Sequence, residues 1–302
     1  MKLDPNATPP TVPFWVDRVG YPFHSHWLQM QHGRMHYVDE GVGEVLLFVH
    51  GNPSWSFEYR RLIKHFAATH RCIAIDHLGF GLSDKTVDAS YLPQFHSRNL
   101  ERFIEALGLT DVTLVVHDWG GPIGMSYAMQ HPANVRRIVA FNSWFFAVKD
   151  QTVLRTFSRI IGGPLGRFLI RHFNLFARVL MPASFGDKRR LNRELRRQFT
   201  APFPTAASRK GTWVFPRAII GESAWLETLW EQRAQVAHVP VMLLWGMKDP
   251  AFAPLLPHWE QAFPDHVTVT YDDVGHNVPE ESGDRAIAPI EAFLASRPGK
   301  VK

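Results

Sequence analysis

The sequence predicts an α/β protein: a mostly parallel, doubly wound sheet flanked by helices, with one helical segment inserted. Three observations carry this. Short apolar runs such as Val45–Val49 and 113–117 are continuous rather than alternating, as expected of strands buried on both faces. Helical patterns of ten or more residues separate them. From residue 142 the strand rhythm stops, and it returns only at 240.

In chain order, 1–22 reads as an extended lead-in punctuated by proline. Residues 26–30 and 34–38 form a predicted hairpin around His32-Gly33. The apolar run Val45–Val49 ends in His50-Gly51-Asn52-Pro53 and a predicted helix over 57–68. A strand at 71–76 precedes a helix over 95–107, whose apolar face is Leu100, Phe103, Ile104 and Leu107. The strand 113–117 meets Asp118-Trp119-Gly120-Gly121-Pro122, which opens a helix running to Gln130 and stopped by His131-Pro132. A strand at 136–141 follows. Residues 142–232 are helical in pattern, with breaks at Gly162-Gly163-Pro164, Met181-Pro182 and Ala201-Pro202-Phe203-Pro204. Strands at 240–245 and 267–271 then complete the sheet, each followed by a helix. The expected organisation is a core formed by 1–141 and 233–302, and a helical cap domain of 142–232 over the carboxyl edge of the sheet.

The chain has 302 residues, enough for a sizeable core, and 45% of them are hydrophobic. Its single cysteine, Cys72, sits in an apolar run, so a buried inert thiol and no intramolecular disulfide are expected. No apolar stretch has the length of a signal peptide core or a membrane span. A soluble, cytoplasmic protein with no membrane partner is therefore expected. The net charge of +5 is uneven. Residues 142–232 carry 15 Lys and Arg against 6 Asp and Glu, and the rest carries 18 against 22. No nucleic-acid-binding motif accompanies the basic segment, so a solvated helical face is expected there rather than a nucleic-acid partner.

Three titratable residues fall at predicted strand ends: Asp118, Asp249 and His276. An Asp in a turn caps or solvates more often than it reacts. Three such groups at the same edge of one sheet, in the order nucleophile, acid, base, are a stronger signal. A carboxylate at Asp118 is already ionised at neutral pH, so it can displace a leaving group from carbon and form an ester. His276 is then free to activate water against that ester, with Asp249 orienting its ring. The backbone N–H groups of Trp119 and Asn52 are the expected oxyanion donors. The Trp119 indole N–H and the Asn52 amide could also clamp a departing halide, because both offer donors. No metal or other cofactor is expected.

The strand-to-helix corner at Asp118 resembles the nucleophile elbow of α/β-hydrolases, although Val116 stands where that elbow usually has a small residue. Residues His50-Gly51-Asn52-Pro53, Asp118-Trp119-Gly120-Gly121, Trp245-Gly246-Met247-Lys248-Asp249 and Gly275-His276 together resemble the haloalkane dehalogenases. Some members of that family carry the acid after the strand preceding the cap, which here is near Asn142 and not acidic. The resemblance therefore implies the subfamily with an Asp-His-Asp triad and an Asn-Trp halide pair: Asp118, His276 and Asp249, with Asn52 and Trp119. It implies an α/β-hydrolase fold, a small apolar halogenated substrate, release of halide ion, and a homo-oligomer.

The nearest rival is an epoxide hydrolase with the same triad, which the run His117-Asp118-Trp119-Gly120-Gly121 suits equally well and which polarises the epoxide oxygen with cap tyrosines. None of the six tyrosines lies within 142–232. A haloacid dehalogenase would need arginines just after the nucleophile, where Trp119 and Pro122 stand. A ligand-binding protein that no longer catalyses is opposed by the complete set Asp118, His276 and Asp249. The pocket under the cap is expected to be apolar and lined by Trp144, Phe145, Phe146, Trp213 and Phe215.

Overall fold

The apolar runs become the centre of an eight-stranded sheet of order β1-β2-β4-β3-β5-β6-β7-β8. This is seen in a computed structural model that describes residues 11–296. The first ten residues of the predicted lead-in lie outside the described residues. The strands are β1 (His26–Met30), β2 (Gly33–Glu40), β3 (Val45–Val49), β4 (Arg71–Ile75), β5 (Val112–Asp118), β6 (Val135–Ser143), β7 (Val241–Gly246) and β8 (His266–Tyr271). β1 and β2 form the hairpin and pair antiparallel, as do β2 and β4; every other pairing is parallel. Every residue of β3, β5, β6 and β7 is buried apart from Arg136, which explains why these strands show no polar alternation.

Helices α1 (Arg60–Phe66), α2 (Pro93–Ala106) and α3 (Gly120–Gln130) connect the first parallel strands. The predicted 57–68 helix begins instead as a 3₁₀ turn, Ser56–Tyr59, before α1. α2 buries Leu100, Phe103 and Ile104, the face its periodicity predicts. Between β6 and β7 lie α4 (Thr152–Ile161), α5 (Pro164–Phe173), a π turn (Phe176–Leu180), α6 (Met181–Ala183), α7 (Arg193–Thr200), α8 (Lys210–Gly221) and α9 (Ser223–Gln232). Met181-Pro182 does not break the chain's course as expected. Pro182 instead lies inside an unbroken helical run over 175–183, where its missing N–H follows directly on the wider π turn Phe176–Leu180. α10 (Leu256–Ala262) follows β7, and α11 (Val278–Glu281) and α12 (Ile287–Ala295) follow β8.

Cys72 is fully buried in β4, and burial pushes its thiol up to about 12. At neutral pH it stays a protonated, packed side chain.

Candidate active site

β5 ends at Asp118, whose φ of 49° lies in the left-handed region although it is not glycine. Such a conformation survives only where the surroundings hold it. Ser143, at the end of neighbouring β6, donates its hydroxyl to the Asp118 carbonyl at 2.6 Å. On the other side, Gly51 lies so close that a Cβ there would run into the Asp118 carboxylate. That approach lets the Asn52 N–H donate to Asp118 Oδ1 at 2.8 Å.

Val116 is accommodated by a glycine elsewhere. A Cβ on Gly124, one turn into α3, would meet Val116 Cγ1 at 2.9 Å. The small residue that the elbow needs has moved from the strand to the helix packed on it.

His276 lies in the loop after β8. Its Nδ1 donates to Asp249 Oδ2 at 2.7 Å, and its Nε2 lies 3.4 Å from Asp118 Oδ2. The three strand-end groups therefore form one row, with the two carboxylates on opposite edges of the ring. Burial pushes the imidazole down. The Asp249 carboxylate and the contacts with Asp118 outweigh it, and the group is raised to about 10. Asp249 is 4% exposed, and burial alone would raise its carboxyl. The facing His276, the Asn142 amide and the Ala251 N–H instead hold it below the ordinary carboxylate range. Its Oδ1 accepts from the N–H groups of Ala251 at 2.9 Å and Phe252 at 3.2 Å.

Five further residues, none of them assigned a role from the sequence, support the row. Asn142 donates its amide to Asp249 Oδ2 at 3.1 Å, and its Oδ1 accepts from the Gly246 N–H at 2.8 Å. His117 is sandwiched between Glu58 Oε2, 3.1 Å from Nδ1, and the His276 carbonyl, 2.9 Å from Nε2. Glu281 gathers the N–H groups of Gly186 (2.8 Å), Asp187 (3.2 Å) and Gly275 (3.0 Å) on one carboxyl group. It thereby ties the inserted segment to the loop that carries His276. Ser184 accepts the His276 N–H at its carbonyl, 2.9 Å away, in the same junction. Only Asn142 left a usable sign in the sequence, a polar residue at a strand end; isolated acids such as Glu58 normally mark exposed helix faces.

A cavity of about 130 Å³ opens beside the row. Asn52, Asp118, Trp119 and His276 lie at one end; Leu154, Phe157, Phe176, Leu180, Pro216 and Ile219 supply apolar walls. No tyrosine lines it. The Trp119 indole N–H forms no hydrogen bond with any described residue. The Asn52 amide makes one long bond, 3.4 Å to the Thr212 carbonyl.

The expected lining of Trp144, Phe145, Phe146, Trp213 and Phe215 is not what surrounds this cavity. β6 runs on to Ser143, so the three aromatics after it turn behind the site. Trp144 packs edge-on against Trp119 at 4.6 Å between ring centroids, while Phe215 stacks on it at 5.0 Å. These two rings fix the orientation of the Trp119 indole. Phe145 packs on Trp259 and Phe146 on His258. Trp213 lies beneath Arg167 at an outer groove. Among the described residues, no cluster of His, Cys, Asp and Glu could hold a metal ion.

Residues 44–282 match the model of the alpha/beta hydrolase fold. The chain is 38% identical to haloalkane dehalogenase 2 of Mycobacterium bovis over 94% of this chain and 99% of that protein. It is also 36% identical to the cis-3-alkyl-4-alkyloxetan-2-one decarboxylase of Shewanella oneidensis, over 90% of this chain and 89% of that one. Among solved structures, the haloalkane dehalogenase DatA from Agrobacterium tumefaciens C58 superposes with a TM-score of 0.81 at 26% identity, covering 90% of this chain and 96% of that one. With this sheet, this elbow and these relatives, the chain belongs to the alpha/beta hydrolase family, within the kinship of the haloalkane dehalogenases.

Proposed function

We propose that this chain hydrolyses small haloalkanes to an alcohol, a halide ion and a proton. Asp118 is the nucleophile, His276 the base and Asp249 the residue that orients the base. Asp118 Oδ2 attacks the carbon bearing the halogen and the carbon–halogen bond breaks, leaving an alkyl ester on Asp118 and a free halide. Oδ1 becomes the carbonyl oxygen of that ester, already held by the Asn52 N–H. The indole N–H of Trp119 and the side-chain amide of Asn52 receive the halide. Water then attacks the ester carbonyl carbon while His276 takes its proton, and the backbone donors stabilise the oxyanion. Collapse frees the alcohol and restores the Asp118 carboxylate.

Ester formation also prepares the base. With Asp118 ionised, His276 keeps its proton at neutral pH. Alkylation removes the Asp118 charge, and with it part of what raises the imidazole. The ring then releases its proton more readily and can accept one from water.

The observation that carries this reading is the end of the cavity, where two donors flank a carboxylate nucleophile and no tyrosine is present. The inserted helices act as a cap that excludes water from it. Halide release from 1-bromobutane or 1,2-dibromoethane, measured beside turnover of styrene oxide, is the test. Epoxide opening without halide release would overturn the reading.

A second reading draws on the 36% identity to the oxetanone decarboxylase. Asp118 could attack the ring carbon bonded to oxygen in a β-lactone, so that this C–O bond breaks and a carboxylate is freed. Loss of CO₂ would then expel Asp118 and leave an alkene, with no water consumed. The compact cavity favours a small haloalkane over a lactone with two alkyl arms. Alkene and CO₂ formed from a dialkyl β-lactone, without halide release from haloalkanes, would decide for this reading.

A further inference from the structure

Residues 151–186 contain five arginines and neither Asp nor Glu. These are Arg155, Arg159, Arg167, Arg171 and Arg178, and none of them forms an ion pair with a described carboxylate. The same stretch carries Val153, Ile160, Leu165, Phe168, Phe173 and Val179, each of them at least half exposed. Spacing sets these apolar residues on shared faces. Val153 and Ile160 are seven apart on α4, and Leu165 and Phe168 are three apart on α5. The two helices are separated only by Gly162-Gly163, and the Phe168 and Phe173 rings lie 6.1 Å apart. A monomer in water gains nothing by exposing six large apolar side chains among unpaired guanidinium groups.

We propose that this face of α4, α5 and the π turn docks on an anionic lipid surface, from which an apolar substrate reaches the cavity. Leu154 and Phe157 of α4, and Phe176 and Leu180 of the π turn, line the cavity from these same elements. A single layer of helix therefore separates the outer face from the place where Asp118 waits. A haloalkane concentrates in a bilayer, so docking puts the cavity next to its reservoir; this last step rests on the proposed dehalogenation, and the docking does not.

Charge and apolar side chains together select the partner. Basic residues beside exposed Phe, Leu and Ile on short amphipathic helices are the pattern that holds a protein at an anionic membrane interface. A second copy of this chain meeting the same face across a two-fold axis would set arginine against arginine, which costs rather than gains. The sequence predicts no membrane partner, because no segment of it could span one. No helix among the described residues is long and apolar enough to cross a membrane, and docking requires none.

The test is co-sedimentation of the full chain with vesicles of phosphatidylcholine alone and of phosphatidylcholine mixed with phosphatidylglycerol. Binding is expected only to the mixture, and molar salt should weaken it. The double variant Arg167→Glu/Arg171→Glu should bind about 30-fold more weakly or worse, since each arginine at the surface contributes roughly fivefold. Phe168→Ser should also weaken binding. Halide release from dissolved 1-bromobutane should remain at the wild-type rate in both variants, which shows that they are folded and tests the proposed reaction separately. Absence of binding to the anionic vesicles, or equal binding to the neutral ones, overturns the proposal. So does a dimer in sedimentation velocity that Phe168→Ser dissociates, because the face then belongs to a second copy.

Discussion

The Asn142 amide donates to the same oxygen of Asp249 that accepts the His276 ring, so two strand ends converge on one carboxylate oxygen. Asn142 is the last residue but one of β6 and Asp249 follows β7, and the Gly246 N–H bound to Asn142 Oδ1 fastens the two together. An acid placed at either position would lie near the imidazole. Asp249→Asn should slow ester hydrolysis by roughly 10³–10⁴-fold, the scale seen when the partner of a catalytic histidine loses its charge. The alkyl-enzyme should then accumulate, and mass spectrometry would show it on Asp118. Adding Asn142→Asp to that variant should restore part of the hydrolysis rate. Full activity of Asp249→Asn alone would remove Asp249 from the mechanism.

The His276 proton should leave a mark on stability. Its group rises from 6.5 to about 10 on folding. A group raised in the folded state adds stability that is complete below the unfolded value and is lost as pH climbs through the folded one. The melting temperature should therefore fall between pH 6.5 and pH 10, and less steeply in His276→Gln. In Asp118→Asn the imidazole should titrate lower than in the wild type, because one facing charge is gone. NMR of the His276 ring measures this directly, and an unchanged value would refute the coupling.

Glu58 and His117 form a buried pair that must hold a proton between them. The His276 carbonyl can only accept, so His117 Nε2 carries a hydrogen toward it. The contact of Nδ1 with Glu58 Oε2 then needs a second proton, on the ring or on the carboxyl. Glu58→Gln keeps a donor there and should be mild. Glu58→Leu leaves the ring unpaired at a site where both side chains are about 3% exposed. It should cost about 1–3 kcal/mol of stability. It should also slow ester hydrolysis more than halide release, since the main chain of the base is what the pair supports. Single-turnover kinetics separates the two steps.

The strands and the row of candidate groups at their ends were legible because each apolar run is punctuated by the polar side chain it presents. Val45–Val49 leads to Asn52, 113–117 to Asp118, and 240–245 to Asp249. The walls of the cavity were not legible. Phe157, Phe176 and Leu180 sit on amphipathic helices, and their period cannot tell a residue facing a cavity from one facing a core. Trp144, Phe145 and Phe146 follow a strand as pocket residues often do, but β6 carries them past the site. Glu58 was hidden for a different reason. Its partner, His117, lies 59 positions away in sequence, and nothing local distinguishes a buried glutamate from an exposed one.

The contact between Val116 and Gly124 allows a prediction in which the sign of an effect reverses. Alanine at 124 gains about 1 kcal/mol of helix propensity over glycine. Against this stands a Cβ that would meet Val116 Cγ1 at 2.9 Å, between a strand and a helix that are both buried. Overpacking of this kind costs about 1–3 kcal/mol, so Gly124→Ala alone should destabilise the protein or leave it unchanged. In a Val116→Ala background the methyl that stands in the way is absent. There the same Gly124→Ala should stabilise, by up to about 1 kcal/mol. Urea unfolding of the four proteins in this cycle measures the coupling. If Gly124→Ala stabilises the wild type as much as it does the Val116→Ala variant, the valine at the elbow is not what the glycine accommodates.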